Sequence, residues 1–397
     1  MCIKIPTFEE LSLEQDRVYN LPTIGRYVIE GPPGTGKSVI ALHRAIRIFS
    51  DENLHVRGES KVVLVMRSKL LHVWTASSIT SAGLQIQERQ VVSFHNWFKS
   101  WYQMVIGQNI PKIEIPTTES TEPDSQTVNQ FREYDWQRIT DRVLEAEEDL
   151  LPSQKFDLII DEGQDLPSDF YVLTNIFARS ITVFADDNQR LTEMNTQVKD
   201  ICDYANIPAA NRFLLEKNYR NSVEIATVAE RFYVGLSSGK PTLPGKVGGS
   251  KPSLHNFSEQ VKQWAYIARY LTNNPRKQIG VFLPNYRLAT ELQDYVERNS
   301  NGNSQIYRNV FGIENEVDPC RPGLLISYLD NAKGLEFDSV FIPSLEKWHH
   351  QIDFETKMKL YVLSSRSRQD LYFSWVGSGE PSVLSVFPRD LLPVIQH

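Results

Sequence analysis

Short apolar runs, rich in β-branched residues, alternate with helical patterns along the first half of the chain. A helical pattern over Ser38–Phe49 follows the first run. Near-continuous apolar runs of this length are typical of strands covered on both faces of a parallel sheet. The runs are Tyr27–Glu30, Lys61–Met66, Asp157–Ile160 and Ile181–Ala185.

The same rhythm returns in the second half, with runs at Ile279–Leu283, Leu324–Tyr328 and Ser339–Ile342. Alternating strands and helices predict the α/β class, and two such series predict two similar, mostly parallel sheets. The length of 397 residues suits two domains of about 200 residues each. We therefore expect domains at residues 1–212 and 213–397.

Two segments interrupt the rhythm. Residues 107–130 are rich in Thr, Ser, Pro and Glu and predict a surface insertion, which continues as an acidic region to about residue 150. Residues 235–253 are rich in Gly, Pro and Ser and predict a long exposed loop.

The composition is that of a soluble globular protein, with 41% hydrophobic and 23% charged residues. No apolar run approaches the roughly 18 residues that span a bilayer, and the N-terminal segment lacks an apolar signal core. We expect a cytoplasmic protein without a membrane partner. The three cysteines (Cys2, Cys202, Cys320) show no spacing typical of zinc or a disulfide framework, so we expect buried or inert thiols.

The net charge of −7 is unusual for a nucleic-acid binder, which generally has a basic face. Residues 114–150 hold eleven acidic residues and three arginines, a local charge of −8 that leaves +1 for the remaining chain. A local basic groove is therefore compatible with the sequence. The acidic segment is either a docking surface for a protein or a solvated loop followed by a surface helix.

A glycine-rich loop follows the first predicted strand. It reads Gly31-Pro-Pro-Gly34-Thr35-Gly36-Lys37-Ser38 and satisfies the G-x-x-x-x-G-K-[ST] pattern. Glycines let backbone N–H groups curl around phosphate oxygens at the positive end of the following helix. Lys37 would reach the β- and γ-phosphates, and the Ser38 hydroxyl would bind Mg²⁺. The pattern predicts a site for ATP and Mg²⁺.

Two carboxylates, Asp161 and Glu162, follow the run Asp157–Ile160 directly. At the carboxyl end of a buried strand, Asp161 would hold Mg²⁺ through water and Glu162 would polarise the attacking water. An Asp-Glu pair can also simply cap a helix. The phosphate loop upstream favours the hydrolytic interpretation.

Six short motifs in order resemble those of a superfamily 1 helicase of the UvrD/Rep type, over most of the chain. Each is short, but their order makes the resemblance specific. They are Leu13-Glu-Gln15, Asp161-Glu-Gly-Gln-Asp165, Ala185-Asp-Asp-Asn-Gln189-Arg190, Asn218-Tyr219-Arg220-Asn221, Ala332-Lys-Gly334-Leu-Glu336-Phe and Tyr361-Val-Leu-Ser-Ser-Arg366-Ser-Arg368.

The resemblance implies two RecA-like P-loop domains with ATP in the cleft between them. By this resemblance Gln15 reads the adenine, Tyr219 stacks on it and Glu336 contacts the ribose. Gln189 senses the γ-phosphate. Arg220 and Arg366 would act as arginine fingers, which can raise a hydrolysis rate by about 10³–10⁵.

The segment Ser93-Phe94-His95-Asn96-Trp97-Phe98 resembles the part of the family that lines the single-strand path. Phe94 and Trp97 would stack on bases, which can contribute about 1–3 kcal/mol per base, and His95 would contact the backbone. Packing in the protein core is the alternative for the two aromatic rings.

The sequence also departs from the family pattern. The aromatic pair that usually follows Gln189 is replaced by Arg190-Leu191-Thr192-Glu193. Tyr328 and Asp330 flank a position where a histidine is common. The large helical insertions are reduced to the 107–155 region or absent, which predicts a weakly processive motor that works within a larger assembly.

The expected function is an ATPase stimulated by single-stranded DNA, a 3′→5′ translocase or helicase in DNA repair or antiviral defence. RNA, or a polymerase bound to nucleic acid, is an alternative track, because Ala41-Leu-His-Arg44 resembles relatives that remodel RNA polymerase. A second alternative is an ATP-controlled switch that binds a protein partner and moves no strand.

Overall fold

The computed structural model describes residues 6–51, 61–66, 90–113, 134–146, 155–187, 196–235, 239–245, 249–310, 313–318, 320–329, 334–348 and 353–397. Gln189, Arg190 to Glu193, Asp330 and most of the acidic insertion lie outside these residues. The chain divides into two compact units. The first contains the described residues up to Pro32 and Gly36–Leu215, and the second contains Pro33–Thr35 and Glu216–His397.

The first unit is built on a six-stranded sheet whose strands are all parallel. Its spatial order is third, second, fourth, fifth, first, sixth. The strands are Arg26–Glu30 (β1), Lys61–Met66 (β2), Val91–Ser93 (β3), Phe156–Ile160 (β4), Ala178–Ala185 (β5) and Arg212–Leu214 (β6).

Helices cover both faces of this sheet. Successive residues of β4 point to opposite faces, and all of them are buried, as coverage of both faces requires. Val65 belongs to an aromatic-rich core cluster with Phe98 and Phe170. On the opposite face, Thr182 accepts a hydrogen bond from Arg44. The helices are Leu13–Tyr19 (α1), Lys37–Ser50 (α2), Phe94–Ile106 (α3), Trp136–Glu145 (α4), Ser168–Phe177 (α5) and Val198–Tyr204 (α6).

The second unit contains a seven-stranded parallel sheet. Its strands are Ser253–Phe257 (β7), Gln278–Leu283 (β8), Ser304–Tyr307 (β9), Gly323–Tyr328 (β12), Phe337–Ile342 (β13), Ser367–Val376 (β14) and Val394–Gln396 (β15). Asn309–Val310 (β10) and Ile313–Glu314 (β11) form a separate antiparallel pair. The sheet order is β15-β7-β14-β13-β8-β12-β9.

Two pairs of helices pack on this second sheet. Gln260–Asn273 (α8) and Tyr286–Asn299 (α9) share one core cluster with Val281 of β8. Val223–Glu230 (α7) and Phe354–Ser364 (α10) contact each other and β14. The prediction of an α/β protein with two mostly parallel sheets is confirmed.

The acidic insertion is described only in part. Within it, the helix α4 begins at an N-cap, where Asp135 accepts a hydrogen bond from the backbone N–H of Arg138. Its apolar residues Ile139 and Val143 are buried in the core of the first unit. This part of the insertion is therefore a packed helix with a polar outer face.

The expectation of inert thiols is wrong for Cys320, which is disulfide-bonded, whereas Cys202 is free. A disulfide joins residues that are close in space, so spacing along the sequence did not reveal it. Disulfides are uncommon in cytosolic proteins, and the cytoplasmic location stays a prediction. No helix among the described residues is both long and apolar enough to cross a membrane.

Candidate nucleotide site

The candidate site lies where three neighbouring strands of the first sheet end. The strands β4, β5 and β1 are adjacent in the sheet, and polar residues lie at the carboxyl end of each. The carboxyl edge of a parallel sheet is the usual ligand position in open α/β folds. The polar residues are Glu30, the last residue of β1, and the glycine loop that follows it, Asp161 and Glu162 after β4, and Asp186 and Asp187 after β5.

The glycine loop turns directly into α2. Gly34 and Gly36 have φ values of 89° and 85°, a left-handed conformation that glycine adopts without strain. Gly36 is also the N-cap residue of α2. The first helical N–H groups thus follow a sharp turn, as an anion site at a helix N-terminus requires.

Lys37, the first residue of α2, is buried against its own loop. Its Nζ donates to the carbonyl oxygens of Gly31 at 2.5 Å and Pro32 at 3.2 Å. The carboxylate of Asp186 lies 3.5 Å from the same Nζ. These contacts fix the ammonium group beside the loop.

Asp161 is a buried carboxylate at the end of β4. Burial, followed by repulsion from Glu162, raises the pKa of Asp161 to about 7, while Ser38 and Lys37 oppose the shift. Among the described residues, neither carboxylate oxygen has a hydrogen-bond partner of good geometry, although the Ser38 hydroxyl is close enough to lower the pKa.

A buried carboxylate without partners is costly unless a cation compensates it. Mg²⁺ prefers oxygen ligands and often takes only one or two protein carboxylates, completing its shell with water and phosphate. Ser38 and Asp161 fit this requirement. In the described part of the chain, no group of three His, Cys, Asp or Glu side chains could hold a metal by itself.

Glu162 begins a short turn that ends at Asp165. Its backbone is left-handed (φ 54°, ψ 45°), which is uncommon for a residue with a side chain. Its carboxylate accepts a hydrogen bond from the side-chain amide of Gln164 at 2.7 Å. This turn holds the carboxylate next to Asp161.

Three polar residues at the site were missed or left without a role by the sequence analysis. Glu30 is buried and pairs with Arg212; burial raises its pKa while Arg212 opposes the shift. Asp186 faces Lys37. Gln164 lies in a motif recognised above. The available signal was a polar residue at the end of a buried strand, since Glu30 is the last residue of β1 and Asp186 directly follows β5.

Gln15 lies in α1, beside the start of α2. It forms a capping box with Ser12, in which its side-chain oxygen accepts from the Ser12 N–H at 3.1 Å. Its amide nitrogen would lie 2.6 Å from a Cβ atom placed on Gly36. The structure thus brings Gln15 to the glycine loop, and recognition of adenine by this residue stays a prediction.

In the second unit, Arg220 forms an ion pair with Glu336 at 2.5 Å. Although burial would raise the pKa of Glu336, Arg220, Arg368 and Arg366 hold it below its ordinary value. Arg366 is buried, and its Nε donates to the Val362 carbonyl at 3.2 Å. The predicted roles of these residues toward ATP stay predictions.

Tyr219 is exposed, and the Lys217 ammonium lies over its ring, 5.4 Å from the centroid. Its backbone N–H donates to the Gly34 carbonyl at 2.8 Å within the same unit. The exposed ring is compatible with the predicted stacking on a base, which no contact in the structure tests.

Phe94 and Trp97 do not line a surface. Phe94 packs against Phe98 and Phe170 with ring centroids 5.3 and 4.9 Å away, and Trp97 is buried in the same aromatic cluster. A base could stack on either ring only by displacing the core, so core packing replaces the expected base stacking. His95 is partly exposed, 3.2 Å from the Tyr134 hydroxyl, and its predicted nucleic-acid contact stays a prediction.

Comparison with known proteins gives little further information. No protein-family model matches the chain, and no curated protein matches it. Among solved structures, the C-terminal domain of a possible DNA helicase from Lactobacillus plantarum WCFS1 is similar at 18% identity, with a TM-score of 0.33. The match covers 44% of this chain and 98% of that domain.

Proposed function

We propose that this protein binds Mg·ATP at the carboxyl edge of its first sheet and hydrolyses it. One observation carries the proposal. The buried carboxylate of Asp161 has no hydrogen-bond partner of good geometry among the described residues, and it lies beside Ser38, Lys37 and a second carboxylate, Glu162. This set matches the needs of phosphoryl transfer, which are a cation site, a phosphate-binding ammonium and a group that activates water.

Each residue then has a role that follows from its position. The loop from Gly31 to Gly36 and the first turn of α2 bind the phosphates through backbone N–H groups. Lys37 moves from its loop carbonyls to the phosphate oxygens. Ser38 and Asp161 would hold Mg²⁺, which would supply positive charge to the phosphates. Glu162 accepts a hydrogen bond from the attacking water and orients it.

The further roles rest on the ordered motifs. Gln15, Tyr219 and Glu336 would recognise the nucleoside, and Gln189, Arg220 and Arg366 would act on the γ-phosphate. The ordered motifs also favour two RecA-like P-loop domains and a 3′→5′ translocase on single-stranded DNA that works with a protein partner in repair or defence.

The test is steady-state ATP hydrolysis by the wild type and by Glu162→Gln, alone and with single-stranded DNA, duplex DNA or RNA. We expect low basal turnover, a severalfold increase with single-stranded DNA, and a loss of at least about 100-fold in Glu162→Gln. Binding of a fluorescent ATP analogue should be retained in the variant. Wild-type turnover in Glu162→Gln would refute the hydrolytic site.

A second function, an ATP-controlled switch, is favoured by one observation. Phe94 and Trp97, the two aromatic residues expected to hold the strand, are buried in the core. A switch would hydrolyse ATP slowly, lose turnover in Glu162→Gln, and respond to a protein rather than to any nucleic acid. The nucleic-acid arms of the same assay therefore separate the two functions.

A further inference from the structure

A buried amide, Gln164, connects the two strand ends that carry the candidate catalytic groups. Its side chain is fully buried in the short turn after β4. The Nε2 group donates to the carboxylate of Glu162 at 2.7 Å. Its Oε1 atom accepts from the backbone N–H of Asp186, at the end of β5, at 3.0 Å.

The far end of this connection leads to Lys37. The backbone N–H of Asp186 donates to Gln164. The carboxylate of the same residue lies 3.5 Å from the Lys37 ammonium. A chain of polar contacts thus runs from Glu162 through Gln164 and Asp186 to Lys37. All four residues are buried and belong to the first unit.

The backbone of the turn is fixed independently of that amide. The Gln164 carbonyl accepts from the Thr196 N–H at 2.9 Å, and the Tyr171 hydroxyl donates to the Gly163 carbonyl at 2.6 Å. A Cβ atom on Gly163 would lie 2.3 Å from Val183, so the turn packs tightly on β5. Replacing the Gln164 side chain should therefore leave the path of the turn largely intact.

The Glu162 side chain needs the hydrogen bond from Gln164 to fix its orientation. A glutamate has several rotatable bonds, and its backbone here is left-handed. A group that orients water must be held closely, since a misplacement of about 1 Å can cost about 100-fold in rate. The Gln164 amide uses its nitrogen and its oxygen in these two hydrogen bonds. It binds Oε2 of Glu162, which leaves Oε1 for the attacking water.

We propose that Gln164 is a positioning residue for hydrolysis: its amide orients the Glu162 carboxylate toward the attacking water and ties it to Asp186, which faces Lys37. This inference rests on the proposed function. It adds a residue that acts through Glu162 and does not itself contact ATP.

The test compares Gln164→Met with the wild type. Methionine has a similar length and volume but makes neither hydrogen bond. We expect kcat to fall about 10- to 100-fold, with the KM for ATP and the affinity for a fluorescent ATP analogue changed less than about threefold. Tyr171→Phe is the matched control, because it removes one buried hydrogen bond from the same turn without touching Glu162, and its kcat should stay near the wild-type value.

A double-mutant cycle separates positioning from a general structural role. Single-turnover hydrolysis is measured for Glu162→Gln and for Glu162→Gln combined with Gln164→Met. If Gln164 acts through Glu162, the second substitution causes no further loss in the Glu162→Gln background. A structural defect would lower the rate by the same factor in both backgrounds, and that result would overturn the proposal.

Gln164→Leu is the second variant, should Gln164→Met not fold. It also makes neither hydrogen bond and adds no charge, so the same fall in kcat is expected. Wild-type kcat in a folded Gln164 variant overturns the inference alone. An inactive wild type, or an active Glu162→Gln, overturns the proposed function and this inference together.

Discussion

Gly36 has a backbone conformation that side chains rarely adopt, and it contacts a neighbouring helix. Its φ is 85°, and a Cβ atom there would lie 2.6 Å from the amide nitrogen of Gln15. The Gln15 amide would have to move, and the oxygen of the same amide accepts the Ser12 N–H in the capping box. We expect Gly36→Ala to lower the free energy of unfolding by about 2 kcal/mol, half from backbone strain and half from the cap. A urea titration followed by circular dichroism measures this.

Gly107→Ala is the matched control for that prediction. Gly107 also has a left-handed backbone, with φ of 71°. Apart from its chain neighbours, no described atom lies within 4 Å of a Cβ atom placed there. It should lose about 1 kcal/mol from strain alone. Equal losses in the two variants would show that the contact between Gln15 and Gly36 contributes nothing to stability.

Single residues also mark how far the sequence could predict the site. Lys37, Ser38, Asp161 and Glu162 were predictable, because each belongs to a short motif whose spacing is itself the chemical requirement. The bond from Gln164 to Asp186 joins residues 22 positions apart and depends on the neighbouring ends of β4 and β5. No local pattern encodes such a contact. The same reason explains why core packing of Phe94 could not be distinguished from base stacking.

At the scale of elements, Arg44 of α2 forms hydrogen bonds with the segment between α1 and β1. This buried guanidinium donates to the carbonyl oxygens of Leu21 at 2.9 Å and Pro22 at 2.6 Å, and to the Thr182 hydroxyl at 3.0 Å. Burial lowers the pKa of Arg44 to about 10, so it remains charged at neutral pH.

We expect Arg44→Met to lower the free energy of unfolding by about 2–4 kcal/mol, because it removes a buried, charged guanidinium together with its hydrogen bonds to Leu21, Pro22 and Thr182. Thermal and urea unfolding measure the loss. Arg47→Met is the control one turn later: Arg47 contacts the Tyr19 carbonyl and the Asn20 side chain from a partly exposed position, and should cost under about 1 kcal/mol. Similar losses in both variants would contradict a special role for Arg44.

A pair of histidines joins β7 to the residue after β15. His255 Nδ1 and His397 Nε2 are 2.8 Å apart, and Ser253 Oγ lies 2.8 Å from His255 Nε2. Burial, followed by the charge of His397, lowers the pKa of His255 to about 4. The pKa of His397 is lowered by burial and by Arg269.

The folded protein therefore favours a neutral His255. As the pH falls from about 6.5 to about 4, the unfolded chain takes up this proton first, and stability decreases across that window and not above it. We expect the free energy of unfolding to be about 1–3 kcal/mol lower at pH 4.5 than at pH 7 through this group. Urea titrations at several pH values measure it. His255→Gln should reduce the slope between pH 6.5 and 4.5, and an unchanged slope would assign the pH dependence to other groups.

The observed strand bounds show which strands can be predicted from a hydrophobic pattern and which cannot. β2 was predicted with its observed bounds, and β4 within one residue, because each is apolar apart from one charged residue near its start. β5 begins three residues earlier than predicted, at Ala178, since Arg179 and Ser180 both hydrogen-bond Asp157 of β4. The edge strands β3, β6 and β15 have three residues each, too few for a pattern.

At the scale of the whole molecule, the two units carry different parts of the proposed chemistry. The carboxylates and Lys37 belong to the first unit, and Arg220, Glu336 and Arg366 belong to the second. Each unit has a core of its own. The two-sheet architecture was predictable from two series of apolar runs, whereas the membership of Pro33–Thr35 in the second unit was not, because it depends on contacts with residues far along the chain.

The order of strands in the first sheet has a consequence for the synthesis of the protein. β1 pairs with β5 and β6, so Val28 lies beside Val183 and Arg212, more than 150 residues further along the chain. A nascent chain emerging from the ribosome therefore holds β1 without either neighbour until the first half has been made. Pairing over such separations is slow, and an unpaired apolar strand is prone to aggregate. The glycine loop, which follows β1 directly, therefore stays without its supporting sheet until β5 and β6 have been made, and under the proposed function incomplete chains would not bind nucleotide.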